Sequence, residues 1–140
     1  MIDPNEVERA VIGKLAADAE LAALLPGGVF YDLAPQGTTQ FVLVSLSTSR
    51  GMPEFDDRDT FRQFVYLVKA VAQGPSSAPT AAADARIQAL LDLGTLDLSA
   101  AGCELLVMRW VDRVRFTEAT GAAEVWQHRG ARYEVTVTET

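Results

Sequence analysis

One segment constrains this chain more than any other. Over residues 60–73, Phe61, Val65, Leu67 and Val71 share one parity, while Phe64, Tyr66 and Val68, with Arg62, share the other. Side chains alternate between faces along a strand, so this is the clearest strand in the sequence. Residues 41–48 form a second β run, apolar on both faces, and read as a central strand. Between the two runs lie Gly51, Pro53 and the acids Glu54, Asp56, Asp57 and Asp59, a composition suited to a solvated loop. The two runs predict one long antiparallel hairpin with a polar, acidic tip.

The rest of the chain supplies helices and further strands. Asp3-Pro4-Asn5-Glu6 is a helix start, with Asp3 as cap, Pro4 at the first helical position and Glu6 completing a capping-box pattern. Val7, Ala10, Val11 and Leu15 then recur at helical spacing. Asp18 caps a short helical stretch over 19–25, which Pro26-Gly27-Gly28 ends. Residues 29–31 read as a short strand and 34–37 as a turn. A Gly/Pro/Ser linker at 74–79 leads to a helix capped by Ser77 or Thr80, running to about residue 93, with Ala83, Ile87, Leu90 and Leu91 on its buried stripe and Gly94 closing it.

Residues 104–116 form a long strand. Simple alternation points Leu106, Met108, Trp110, Val114 and Phe116 one way and Arg109, Arg113 and Arg115 the other. Asp112 breaks that alternation and marks a bulge or the edge of the buried patch. Thr120-Gly121 and Arg129-Gly130 bracket a loop carrying Trp126, and the last strand runs over 131–138 with Tyr133, Val135 and Val137 inward. The order is α-β-β-β-α-β-β: a single α+β domain over 1–140, an antiparallel sheet with helices packed on it.

Composition removes several function classes. With 49% hydrophobic and 22% charged residues the chain is neither disordered nor collagen-like. No stretch reaches the length of a membrane span, and the acidic N-terminus has no apolar signal region, which places the chain in a reducing cytoplasm or in something assembled there. The formal charge of −7 repels phosphate backbones. Cys103 is the only cysteine and His128 the only histidine, so neither an internal disulfide nor a histidine zinc site is expected. No phosphate-binding glycine loop, dinucleotide fingerprint or nucleophile elbow is present. The acidic cluster lacks the spacing of a calcium loop, and an exposed tip offers no cleft for a glycosidase pair. The expectation is a protein without catalytic residues, cofactor or metal.

The remaining candidates concern assembly. Glu54, Asp56, Asp57 and Asp59 form either a solvated tip or one that docks on a basic partner surface. Arg109, Arg113 and Arg115 are expected to pair with acids of this chain or of another copy rather than with phosphate. Trp110 reads as core. Trp126 is a lid over the core or an interface anchor.

Helix, Asp18, Ala23-Leu24-Leu25-Pro26-Gly27-Gly28-Val29-Phe30-Tyr31-Asp32, the Ala34-Pro35-Gln36-Gly37 turn and the strand from Phe41 resemble the opening of the tail-completion family of tailed bacteriophages. The second half is similar in outline, with a hairpin, a helix after the Gly/Pro linker, the Asp112-Arg113-Val114 strand segment, the Thr120-Gly121 turn and a terminal strand around Tyr133-Glu134-Val135. The resemblance implies a structural virion protein that caps the head-proximal end of the tail tube as a homo-oligomeric ring, a hexamer in the long non-contractile tails. Its partners would be the tail tube protein and the neck or stopper protein, with DNA passing through the lumen unbound. It carries over no catalytic residue, and the acidic loop and the Trp126 segment fall outside the matched pattern. A neck stopper, and a small dimeric α+β enzyme or ligand-binding protein, remain as alternatives.

Overall fold

The structure, a computed structural model, describes residues 1–52, 61–121 and 124–140. Helix α1 spans Pro4–Ala16, α2 Ala19–Leu24 and α3 Ala78–Leu91; the strands are β1 Val29–Tyr31, β2 Gln40–Met52, β3 Phe61–Gln73, β4 Cys103–Ala119 and β5 Val125–Glu139. They form one sheet in the order β1-β2-β3-β5-β4. All neighbours are antiparallel except β1, which runs parallel to β2. The class is α+β, as the sequence predicts, and β2 and β3 form the expected long hairpin.

The helix ends follow local chemistry. The Asp3 carboxylate accepts the Asn5 N–H at the start of α1, and that of Asp18 accepts the Leu21 N–H at the start of α2. Asp18 also receives two hydrogen bonds from Arg86 of α3, at 2.9 and 2.7 Å, so one carboxylate caps one helix and ties it to another. Ser77 precedes α3, but its side chain makes no capping bond; the Ser76 hydroxyl instead accepts the Ala78 N–H. α3 ends at Leu91, two residues before the expected end.

Every helix packs on the same face of the sheet. The buried cluster joins Val7, Val11 and Leu15 of α1, Leu21 of α2 and Ala83, Ile87 and Leu91 of α3 to Val42 and Val44, to Phe64, Tyr66, Val68 and Ala70, and to Ala131, Tyr133, Val135 and Val137. These strand residues alternate strictly, the period-2 signature of a half-buried strand. Phe64 and Tyr66 stack at 6.1 Å under the helices. Among the described residues, the opposite face has no covering layer of its own.

Three expectations are corrected. Residues 125–130 are strand, not loop, so Trp126 lies on β5 beside β3. The 104–116 strand does not alternate evenly: register shifts fall between Leu105 and Val107 and between Trp110 and Asp112. Each bulge adds a residue and reverses the parity beyond it. Arg109, opposite Glu134, keeps the side away from Met108 and lies on the bare face, whereas beyond the second bulge Arg113, opposite the buried Ala131, lies on the helical face and Val114 and Phe116 lie on the bare one. Trp110 is not core but exposed, because β4 is the outermost strand and the helices sit over the middle of the sheet.

Two measurements probe this architecture. Gly130 faces Lys69 on β3, and a Cβ there would lie 2.2 Å from the Val68 carbonyl oxygen and 2.5 Å from the Lys69 Cα. Gly130→Ala must push the two central strands apart, and denaturant titration is expected to show a loss of about 1–3 kcal/mol. Arg86 and the Leu21 amide hold the Asp18 carboxyl down at about 2, against an ordinary 3.8. A carboxylate with a depressed folded pKa stabilises the fold above its unfolded value and loses that contribution as pH falls through the folded one. Asp18→Asn should thus lower the melting temperature at pH 7, and the difference from the parent protein should shrink as pH falls from about 4 to 2.

Candidate assembly interface

β4 and its two bulges determine where the exposed chemistry goes. Arg109 pairs with Glu134 at 3.2 Å on the bare face. Arg113 reaches the buried Asp84 of α3 at 3.0 Å, and Arg129 of β5 approaches the same carboxylate at 3.8 Å. Burial pushes the Asp84 carboxyl above its ordinary range, against the pull of the two guanidinium groups. Arg115 faces Arg129 across the β4–β5 register and stays exposed. The three arginines are thus not one stripe. Two pair with acids of their own chain, and Arg115 projects from the strand that ends the sheet.

The bare face carries an aromatic cluster at one end. Trp126 packs against Phe41 with ring centroids 6.4 Å apart, and Phe41 against Phe30 at 6.3 Å. Trp126 is half-buried and completes this cluster on the bare face, away from the helical core. Nearby, His128 stacks on Phe116 at 4.2 Å, and the Lys69 ammonium lies 5.1 Å from the same Phe116 ring. Arg132 and Asp112 form a two-pronged pair across β4 and β5, which holds the Asp112 carboxyl below its ordinary range. Sequence reasoning missed the Phe116–His128 stack, the Asp112–Arg132 pair and the Arg113–Asp84 contact because all three depend on a β4 bulge that residue pattern alone does not locate.

The lone histidine and cysteine are far apart. Cys103 pairs with Glu139 at one end of β5 and His128 sits toward the other, a separation of about 35 Å at roughly 3.3 Å per residue. Burial raises the Cys103 thiol; burial, with the Lys69 charge second, lowers the His128 imidazolium. A thiol that stays protonated is a poor nucleophile, and a neutral imidazole stacked on Phe116 fills its place as an aromatic. Among the described residues no three His, Cys, Asp or Glu side chains are placed to hold a metal ion. Glu54, Asp56, Asp57 and Asp59 lie outside the described residues.

Apolar residues, in contrast, accumulate along β4. Leu106, Val107, Trp110, Val111 and Phe116 are all exposed, and Leu93 stands beside them in the connection from α3. A groove of about 720 Å³ runs between that connection and the first half of β4, with Leu96, Leu98, Leu105 and Met108 among its walls. Long exposed edge strands and large apolar patches are features that soluble monomers avoid. The arrangement is suited to binding another protein surface.

Comparison with known proteins gives this surface a context. Residues 9–136 match the family described as tail completion protein gp17. No curated protein sequence matches the chain. Among solved structures, a chain from the virion of a native gene transfer agent particle is 21% identical, covers 94% of both chains and superposes with a TM-score of 0.70. A second solved chain is 16% identical over 96% of both chains, with a TM-score of 0.59. At these identities the two structures show a shared fold. The environment of Cys103 gives a direct check: in the native protein it should react with a maleimide at least about tenfold more slowly than in denaturant, and equal rates would mean that the β4–β5 end is open.

Proposed function

Because this chain belongs to the tail completion protein gp17 family, we propose that it closes the head-proximal end of a phage-type tail as a ring of six copies and joins the tail to the neck. Membership makes it a structural protein of the virion tail; the ring, its copy number and its neighbours are our reading. The observation that carries it is the match over residues 9–136, nearly the whole chain, on a fold shared across 94% of a chain from a virion particle.

The physical chemistry is consistent with that role. A protein of net charge −7 does not grip a passing duplex, since non-specific DNA binding depends on cationic contacts to phosphate. In this reading Glu54, Asp56, Asp57 and Asp59 face the DNA passage or a basic partner surface, and Arg115, left exposed on the outermost strand, meets an acid of the neighbouring copy. Trp126 and its aromatic neighbours stiffen the bare face. The protein acts by shape, without a catalytic step. A domain of this size folds alone, so the ring need not form in free solution. The end of the tail tube, presenting a ring of equivalent sites, raises the effective concentration of neighbouring copies and templates closure.

Deletion of the gene tests this reading by electron microscopy of the particles. Without the protein, tails are expected to vary in length and to remain detached from filled heads. Tails of normal length joined to filled heads would exclude the terminating role.

A further inference from the structure

Resting on the ring reading, the question is which surfaces of one copy meet the next. A closed ring of identical subunits uses two different patches per copy, and a rotation brings one against the other. Among the described residues, the exposed large hydrophobics other than Met1 fall into two groups at opposite edges of the sheet. One is the β4 group, with Leu93, Leu106, Trp110 and Val111. The other is Leu33, 82% exposed after β1, and Leu46 on β2 just beyond the last residue that β1 covers.

The register places these groups on one level. Leu46 pairs with Tyr66, Tyr66 with Tyr133 and Tyr133 with Trp110, so a single row of side chains crosses the sheet from one patch to the other. With the strands along the ring axis, a rotation without rise keeps that row continuous from copy to copy. Strand direction agrees as well. β2, β3, β5 and β4 alternate in direction, so β4 of one copy and β2 of the next run antiparallel.

The β4 edge is plugged at this level. The Asp92 carboxylate accepts the Trp110 N–H at 2.9 Å, and the Leu93 N–H donates to the Met108 carbonyl. The backbone needs at this end of the row are thus met within each copy, which opposes open-ended strand addition and leaves the side chains to make the contact. Among the described residues, Leu33 and Leu93 also mark the two non-glycine positions of positive φ: Leu93 itself at 56°, and Asp32 at 63° immediately before Leu33. A leucine costs energy in that conformation, and here it holds a side chain 74% exposed at the rim of the groove.

We infer that the edge bearing Leu33 and Leu46 docks on the β4 edge of the neighbouring copy, with Leu33 entering the groove below Leu93 and Leu106 and Leu46 meeting Trp110 and Val111. The occupant of the β4 groove is a second copy of this chain.

Site-directed cross-linking in purified particles tests the pairing. Leu46→Cys and Val111→Cys are made separately and together, and particles are treated with a short bismaleimide. The double variant is expected to give a ladder of covalent oligomers, and each single variant to stay monomeric. Dimers from Val111→Cys alone would mean a symmetric contact and overturn the inference. So would an absent ladder in particles whose tail ends carry the protein, leaving the ring itself standing. Particles whose tails lack the protein at that end would overturn the ring reading and this inference with it. As a second readout, Leu33→Asp should keep the parent melting temperature while reducing incorporation into particles at least tenfold; normal incorporation would count against the docking.

Discussion

All the helices bury themselves on one side of a single sheet, and most features of this protein follow from that asymmetry. Phe64 and Tyr66 on β3 and Tyr133 and Val135 on β5 form the floor on which α1, α2 and α3 lie. The apolar area removed from water there is the main source of folding free energy. Among the described residues, it also leaves a second face, and the margins of the first, without an internal cover. The bare face is managed by local pairs: Arg132 with Asp112, Arg109 with Glu134, and His128 stacked on Phe116. The margin along β4 is not, and there the leucines, valines and tryptophan remain in water.

That contrast separates stability from assembly. A face tiled by ion pairs and stacked rings satisfies itself and has little to gain from a partner, since exposed pairs contribute only about 0–1 kcal/mol each. An apolar margin gains by being covered. The same edge is protected against uncontrolled growth, because Asp92 occupies the backbone donor that an added strand would use. A protein that must stay dispersed until its site is available, and then associate in one geometry, has use for both properties.

Much of the fold was legible in the residues. The hairpin came from the double parity of residues 60–73, the helix starts from Asp3 and Asp18, and the final strand from the alternation of Tyr133, Val135 and Val137. The site was less so, for identifiable reasons. The bulge at 105–107 puts Leu106 out of step and that at 110–112 reverses the sides of Arg113 and Arg115, while Arg109 keeps its own, and a bulge is fixed by cross-strand partners distant in sequence. Asp112 signalled one of them by breaking the apolar pattern; nothing comparable marked Leu106. Trp126 read as loop because glycines flank it, yet Gly130 is there to let β5 approach β3 closely, not to end the strand. Trp110 read as core since its neighbours are apolar, but a strand pattern does not tell how far the helical layer extends.

The closed ring proposed for this protein has a definite place, between the tail tube and the neck. Cryo-electron microscopic reconstruction of the head-proximal tail end in intact particles tests it most directly. The expected result is a ring of density into which copies of this domain fit side by side, at the last layer of the tube and around an open channel. A tube that meets the neck with no such ring, or this domain located elsewhere in the particle, would contradict it.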